Sequence, residues 1–135
     1  MEIGQYQPNE SCGAHFINYD NGVKPEIADG VKVSGLIDCI HKVIIEKDAF
    51  TGHDVMILTG SHDPEKFGEG RKKASKGGSI TIKEGAWIAS RAIVLGPCII
   101  GKHAVIGAGA VVTGDIPDYA LAVGVPAKVV KFYEH

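Results

Sequence analysis

Large side chains are scarce in this sequence. It has one tryptophan, four tyrosines and four phenylalanines in 135 residues, too few for a core built on aromatic rings. Charge of one sign is lacking too. Fourteen Lys and Arg stand against sixteen Asp and Glu, a net charge of −2, which excludes the basic field used to bind nucleic acid or an acidic membrane surface. Charge-free runs are short: residues 103–114 fall well below the roughly 18–20 apolar residues needed to span a bilayer. Met1 is followed by polar residues, so no leader peptide is expected. Cys12, Cys39 and Cys98 form no CxxC pair, and an odd, scattered set suits the reducing cytoplasm, the expected location. What is abundant is glycine, at 18 residues, together with Val, Ile and Ala. That composition describes a single β-rich domain, residues 1–135, with many tight turns.

The apolar residues recur every six positions. From Ile27 the hexads read IADGVK, VSGLID, CIHKVI, IEKDAF, TGHDVM and ILTGSH; the register breaks, then resumes at Ile82 with IKEGAW, IASRAI, VLGPCI, IGKHAV, IGAGAV and VTGDIP. First positions are Ile or Val except at Cys39 and Thr51, and fifth positions are small or β-branched. Neither a helix period of 3.6 nor plain strand alternation resets every six residues. The pattern predicts a solenoid in which each hexad is a short strand and a corner. First positions point inward, small residues crowd the corners, and Gly, Asp and Lys serve the turns.

The segment "IKEGAWIASRAIVLGPCIIGKHAVIGAGAVVTGDIPDYALAVGVPAKVVK", residues 82–131, resembles the C-terminal half of hexapeptide-repeat acyltransferases, in particular the galactoside and maltose acetyltransferase type. The resemblance covers roughly residues 27–131. It implies an all-β fold: a left-handed parallel β-helix, a triangular prism with three hexads per coil, usually assembled as a homotrimer with active sites between subunits. Coils are then expected over 27–62 and 82–117, with a loop excursion at 63–81, a first-coil cap in residues 1–26 and a C-terminal cap at 118–135. With the loop removed, His53 stacks on Ser90, and Asp54 falls beside Arg91 as a candidate exposed ion pair.

The stretch "ILTGSHDP", residues 57–64, ends the second expected coil and opens the glycine-rich, basic loop. Acetyl transfer to a sugar hydroxyl needs a base for the hydroxyl proton, and an imidazole titrating at about 6.5 suits that task. "TGSHD" resembles the family's catalytic-histidine segment, which makes His62 the general base. His53 and Asp63 are candidates for contacting the acceptor, and the basic cluster Arg71, Lys72, Lys73 and Lys76 for attracting a phosphorylated one. For the donor, acetyl-CoA, the resemblance assigns Trp87 to the thioester and pantetheine arm. Ser90 and the small Ala108 lie along that arm, Thr113 near the adenosine end, and Lys128 and Lys131 at its phosphates. Gly114 stands where the family often has Lys, Ala89 where it has Gly, and both tail cations are Lys where Arg is common.

No metal is expected: β-helical carbonic anhydrases need an H-x4-H pair, and none occurs. The function this reading predicts is acetyl-CoA-dependent O-acetylation of a sugar or sugar-nucleotide hydroxyl. N-acetylation of an amino sugar and a non-catalytic hexapeptide scaffold are the alternatives.

Overall fold

The computed structural model describes residues 12–135. The chain winds as a left-handed parallel β-helix with three faces. The first face stacks His15–Ile17, Gly35–Asp38, Val55–Leu58, Ile93–Leu95 and Val111–Val112. The second stacks Glu26–Ile27, Val43–Ile45, Ile80–Ile82 and Cys98–Ile100. On the third, Phe50–Thr51, Trp87–Ile88, Val105–Ile106 and Ala120–Val123 run parallel, and Lys128–Phe132 folds back antiparallel on the last of these. Ile88 pairs with Ile106 and Val94 with Val112, so a coil takes 18 residues here.

The hexad code explains the core. Ile27, Val33, Ile45, Ile57, Ile82, Ile88, Val94, Ile100, Ile106 and Val112 are all buried and stack coil on coil, while Ala49, Ala86, Ala92, Ala104 and Ala110 fill the narrow corners. The corners that lead from the second face to the third and from the third to the first turn through a left-handed residue at the fourth hexad position: Gly30, Asp48, Asp54, Gly85, Arg91, His103 and Gly109 all have φ between 56° and 83°. The sequence marks this position only where glycine occupies it.

In two places the hexad arithmetic misplaces the chain. In the first coil it sets Ile37 against Val55, whereas the ladder pairs Ile37 with Ile57 and Gly35 with Val55. A slip of two residues keeps the same side chains inward, so the apolar pattern carries no trace of it. Gly35 makes the slip possible, because a Cβ there would run into the Val55 carbonyl. Gly35→Ala is therefore expected to cost at least about 2 kcal/mol, read as a lowered melting temperature.

The second correction concerns the loop. The strand resuming the prism begins at Ile80, not Ile82; Ile80 pairs with Val43 below and Cys98 above and is fully buried. Ser61, the expected occupant of that corner, is exposed. The prism is thus left after Thr59, and Gly60–Ser61 pairs antiparallel with Lys76–Gly77 as the neck of an arm. His62 belongs to this arm rather than to the end of the coil.

At the N-terminal end, His15–Ile17 adds a further strand to the first face, so the prism starts before Ile27. The part of the expected cap in residues 1–11 lies outside the described residues. No helix among the described residues is long and apolar enough to cross a membrane. The only helix among them is the five-residue turn Glu69–Lys73 in the arm.

Candidate active site

The arm holds its own shape. Asp63 Oδ1 accepts the Glu65 N–H at 3.0 Å, closing a turn directly after His62. Arg71 donates through Nε to the Lys66 carbonyl at 2.7 Å and through Nη2 to that of Pro64 at 2.9 Å, and its guanidinium lies 5.2 Å from the Phe67 ring. Arg71 is thus a staple of the arm and not a free cation for an acceptor. Lys72 lies 3.5 Å from Glu69 with both groups exposed, an ion pair worth little. The other Asp63 carboxylate oxygen has no hydrogen-bond partner among the described residues.

The neck packs tightly on the prism. Gly78 N–H donates to the Thr59 carbonyl at 2.9 Å, and a Cβ on Gly77 would collide with that same carbonyl. Beside the neck, a cleft of about 490 Å³ is lined by Ser61, His62, Pro64, Leu95, Pro97 and Thr113, among others. That volume falls within the usual range for small-molecule sites. His62 is exposed, and neither of its ring nitrogens has a hydrogen-bond partner among the described residues.

The remaining residues of interest lie elsewhere. Trp87, 42% exposed, stacks on Phe50 with ring centroids 5.9 Å apart and planes 10° off parallel. The outward ladder of the third face runs Phe50, Trp87, Val105, Leu121, Lys131, so three rungs, about 14 Å, separate the indole from the lysine. Lys131 Nζ sits 5.0 Å from the Tyr133 ring, and Lys128 is exposed on the same strand. Ser90 follows at the next corner and Ala108 stands one coil above it; Ser90 Oγ accepts the His53 N–H at 3.0 Å. This confirms the stacking of His53 on Ser90. Asp54 and Arg91 line a neighbouring cleft of about 680 Å³ with His15, but they make no ion pair within 4 Å.

The candidate residues therefore divide between two edges of one face. His62, Asp63 and Thr113 sit where the first face meets the second. Trp87, Ser90, Ala108, Lys128, Lys131 and His53 sit on the third face and on its edge with the first. A first-face strand of three or four residues, about 10–13 Å, separates the groups. Thr113 thus joins His62 rather than the tail lysines.

Two features escaped the sequence reading. One is a buried polar cluster of Asp38, Thr59 and the Gly60 N–H under the neck; its only sequence signal was an aspartate inside the apolar run "LIDCI". The other is the set of left-handed corners. The three cysteines are free and buried. Burial raises the Cys39 thiol to about 11, with Asp38 adding to the effect, and the Cys98 thiol to about 12, with Asp115 adding. Alkylation of the native protein at pH 8 is therefore expected to label neither until the chain is unfolded. No cluster of three or more metal-ligating side chains occurs among the described residues.

Residues 79–114 match the family model described as bacterial transferase hexapeptide (six repeats). A putative acetyltransferase of Schizosaccharomyces pombe is 40% identical over 93 residues, spanning 69% of this chain and 44% of that protein. The dTDP-3-amino-3,6-dideoxy-alpha-D-galactopyranose 3-N-acetyltransferase of Aneurinibacillus thermoaerophilus is 50% identical over 52 residues, 38% of this chain and 27% of that one. Among solved structures, a galactoside acetyltransferase in complex with coenzyme A superposes with a TM-score of 0.61 at 25% identity, covering 82% of this chain and 60% of that one. The chain spans less than two thirds of the length of the curated relatives it matches.

Proposed function

From the hexapeptide model matched by residues 79–114 and the acetyltransferases that the chain resembles, we propose that it is an acetyl-CoA-dependent O-acetyltransferase of a sugar or sugar-nucleotide hydroxyl, with His62 as general base. The observation that carries this reading is an unpartnered imidazole on a self-supporting arm, lining its own cleft with Thr113. A base must have a free ring nitrogen open to the acceptor, and both ring nitrogens of His62 are unpartnered among the described residues.

The third-face ladder suits the donor. It offers an exposed, stacked aromatic at one end and a cation about 14 Å along, with only Val105 and Leu121 between. An extended pantetheine arm can lie over those apolar rungs and the small corner residues Ser90 and Ala108, leaving its phosphates near Lys131 and Lys128. Bound acetyl-CoA supplies an activated thioester carbonyl. His62 takes the proton of the acceptor hydroxyl as its oxygen attacks, and returns it to the departing thiolate. Asp63, through its open oxygen, and His53 are the proposed acceptor contacts.

Since His62 and Trp87 lie on different edges of one prism, the complete site takes His62 from one subunit and the Trp87 ladder from the next. A homotrimer accomplishes this by cyclic symmetry. The three buried, protonated thiols suit a cytoplasmic location.

Amino-sugar N-acetylation is the second reading, favoured by the N-acetyltransferase that shares 50% identity over 52 residues. The test is thiol release from acetyl-CoA with parallel panels of sugar hydroxyl and amino-sugar acceptors. Release with hydroxyl acceptors supports the first reading. Release confined to amines transfers the proposal to the second, and silence across both panels in the presence of tight CoA binding contradicts both.

A further inference from the structure

Among the described residues, Asp38 is the most buried charge, at 4% exposure, and lies outside the proposed machinery. It ends the first-face strand Gly35–Asp38, directly below the point where the arm leaves the prism. Its Oδ1 accepts from Asn18 Nδ2 at 2.7 Å and from the Ile40 N–H at 3.2 Å. Its Oδ2 accepts the Gly60 N–H at 2.7 Å and lies 3.3 Å from the Thr59 hydroxyl. That hydroxyl also lies 2.9 Å from the Asp38 carbonyl oxygen and accepts the His41 N–H at 2.9 Å. Thr59 is fully buried. Nothing in the hexad pattern calls for a carboxylate here, since the corner could be filled by an apolar side chain.

We propose that Asp38 is a positioning residue for His62: its carboxylate grips the Gly60 N–H and the Thr59 side chain, and so sets where the arm departs, two residues before the base. The inference rests on the reading of His62 as base and adds the residue that aims it. Burial opposes ionisation of Asp38, but hydrogen bonds from Asn18, Gly60, Ile40 and Thr59 outweigh it and hold the carboxyl below its usual range. The grip is therefore anionic at neutral pH, and hydrogen bonds to a charged acceptor are stronger than neutral ones. Gly60 fits the arrangement: a Cβ there would stand 3.1 Å from Asp38 Oδ2 and 3.2 Å from Ile40 Cγ1, so a larger residue would push the carboxylate or Ile40 aside by a few tenths of an ångström.

Asparagine at position 38 keeps the shape and breaks the grip. Donors face both carboxylate oxygens, so whichever way the amide turns, its NH2 meets another N–H. A displacement of about 1 Å at a catalytic group can cost on the order of 100-fold in rate.

The experiment measures kcat, acceptor KM, acetyl-CoA affinity and thermal melting for Asp38→Asn, His62→Ala and the double variant. The expected result is a cooperative melt at lowered temperature for Asp38→Asn, acetyl-CoA affinity as in the wild type, and a kcat reduced roughly 10–100-fold. In the His62→Ala background the same substitution should remove nothing further from kcat, because there is no base left to aim. An unchanged kcat for Asp38→Asn, or an equal loss in both backgrounds, would overturn the proposal and leave Asp38 as a support of the fold. Full turnover by His62→Ala alone is a different outcome: it removes the base reading itself. Should Asp38→Asn not fold, Gly60→Ala disturbs the same contact from the arm side, and the same expectations and contradictions apply to it.

Discussion

Replacing His62 with alanine is expected to lower turnover about 10²–10⁴-fold, the usual contribution of a positioned base, while acetyl-CoA binds as before. The two effects separate because His62 stands on the arm beside the first and second faces, whereas the aromatic and cationic ladder lies on the third. The imidazole has no hydrogen-bond partner among the described residues to lose, so the variant should melt like the wild type. Kinetics of thiol release with saturating acceptor, alongside a calorimetric titration, measure both quantities. A matched loss of affinity and rate would mean that His62 binds the donor. Retained turnover with an amino-sugar acceptor would fit a nucleophile that needs no help from a base.

A second large effect is expected from mixing inactive proteins. One variant carries His62→Ala; the other carries Trp87→Ala with Lys131→Ala, which removes both ends of the donor ladder. Each alone should be nearly inactive. If a site draws His62 from one subunit and the ladder from its neighbour, co-refolded mixtures contain intact sites. Random assembly of equal amounts into a cyclic trimer gives about a quarter of wild-type activity. The rescue arises because the first face stands between the two groups of residues in any single chain. Mixtures as inactive as their parents would show that both groups serve one site within a subunit, which the observed separation makes hard to build; an active Trp87→Ala, Lys131→Ala parent would show that the ladder does not bind the donor.

The prism was legible because its energetics repeat. A side chain that must stack on its counterpart one coil away leaves the same mark every six residues, and Ile82 through Val112 carry that mark without a break. The slip at Gly35 was silent because an even displacement preserves which side faces inward. Left-handed corners at Asp54, Arg91 and His103 were equally silent, since the conformation is imposed by closure of the coil and only glycine announces it. The arm's start moved by three residues and its end by two for a related reason: Ser61 and Ile80 both suit a fifth position, and only the ladder decides that Ile80 fills it.

The sequence named individual candidates for the site but not how they group. Which edge of the prism a residue occupies depends on its hexad, whereas which edges meet in the proposed assembly depends on neighbouring copies. Thr113 shows the difficulty, since its hexad sets it beside His62 and away from Lys128 and Lys131. Asp38 was passed over because a single aspartate in an apolar run signals burial without saying what it holds. Its partners Asn18, Thr59 and Gly60 are 20 to 22 residues away in sequence.

The most direct test of the account is a calorimetric titration of acetyl-CoA into the wild-type protein, with the variant carrying Trp87→Ala and Lys131→Ala titrated in parallel. The account predicts saturable binding at one site per subunit in the wild type and a marked loss of affinity in the variant. Absence of binding to the wild type would contradict it and leave the prism a scaffold; equal binding to both would move the donor off the third face.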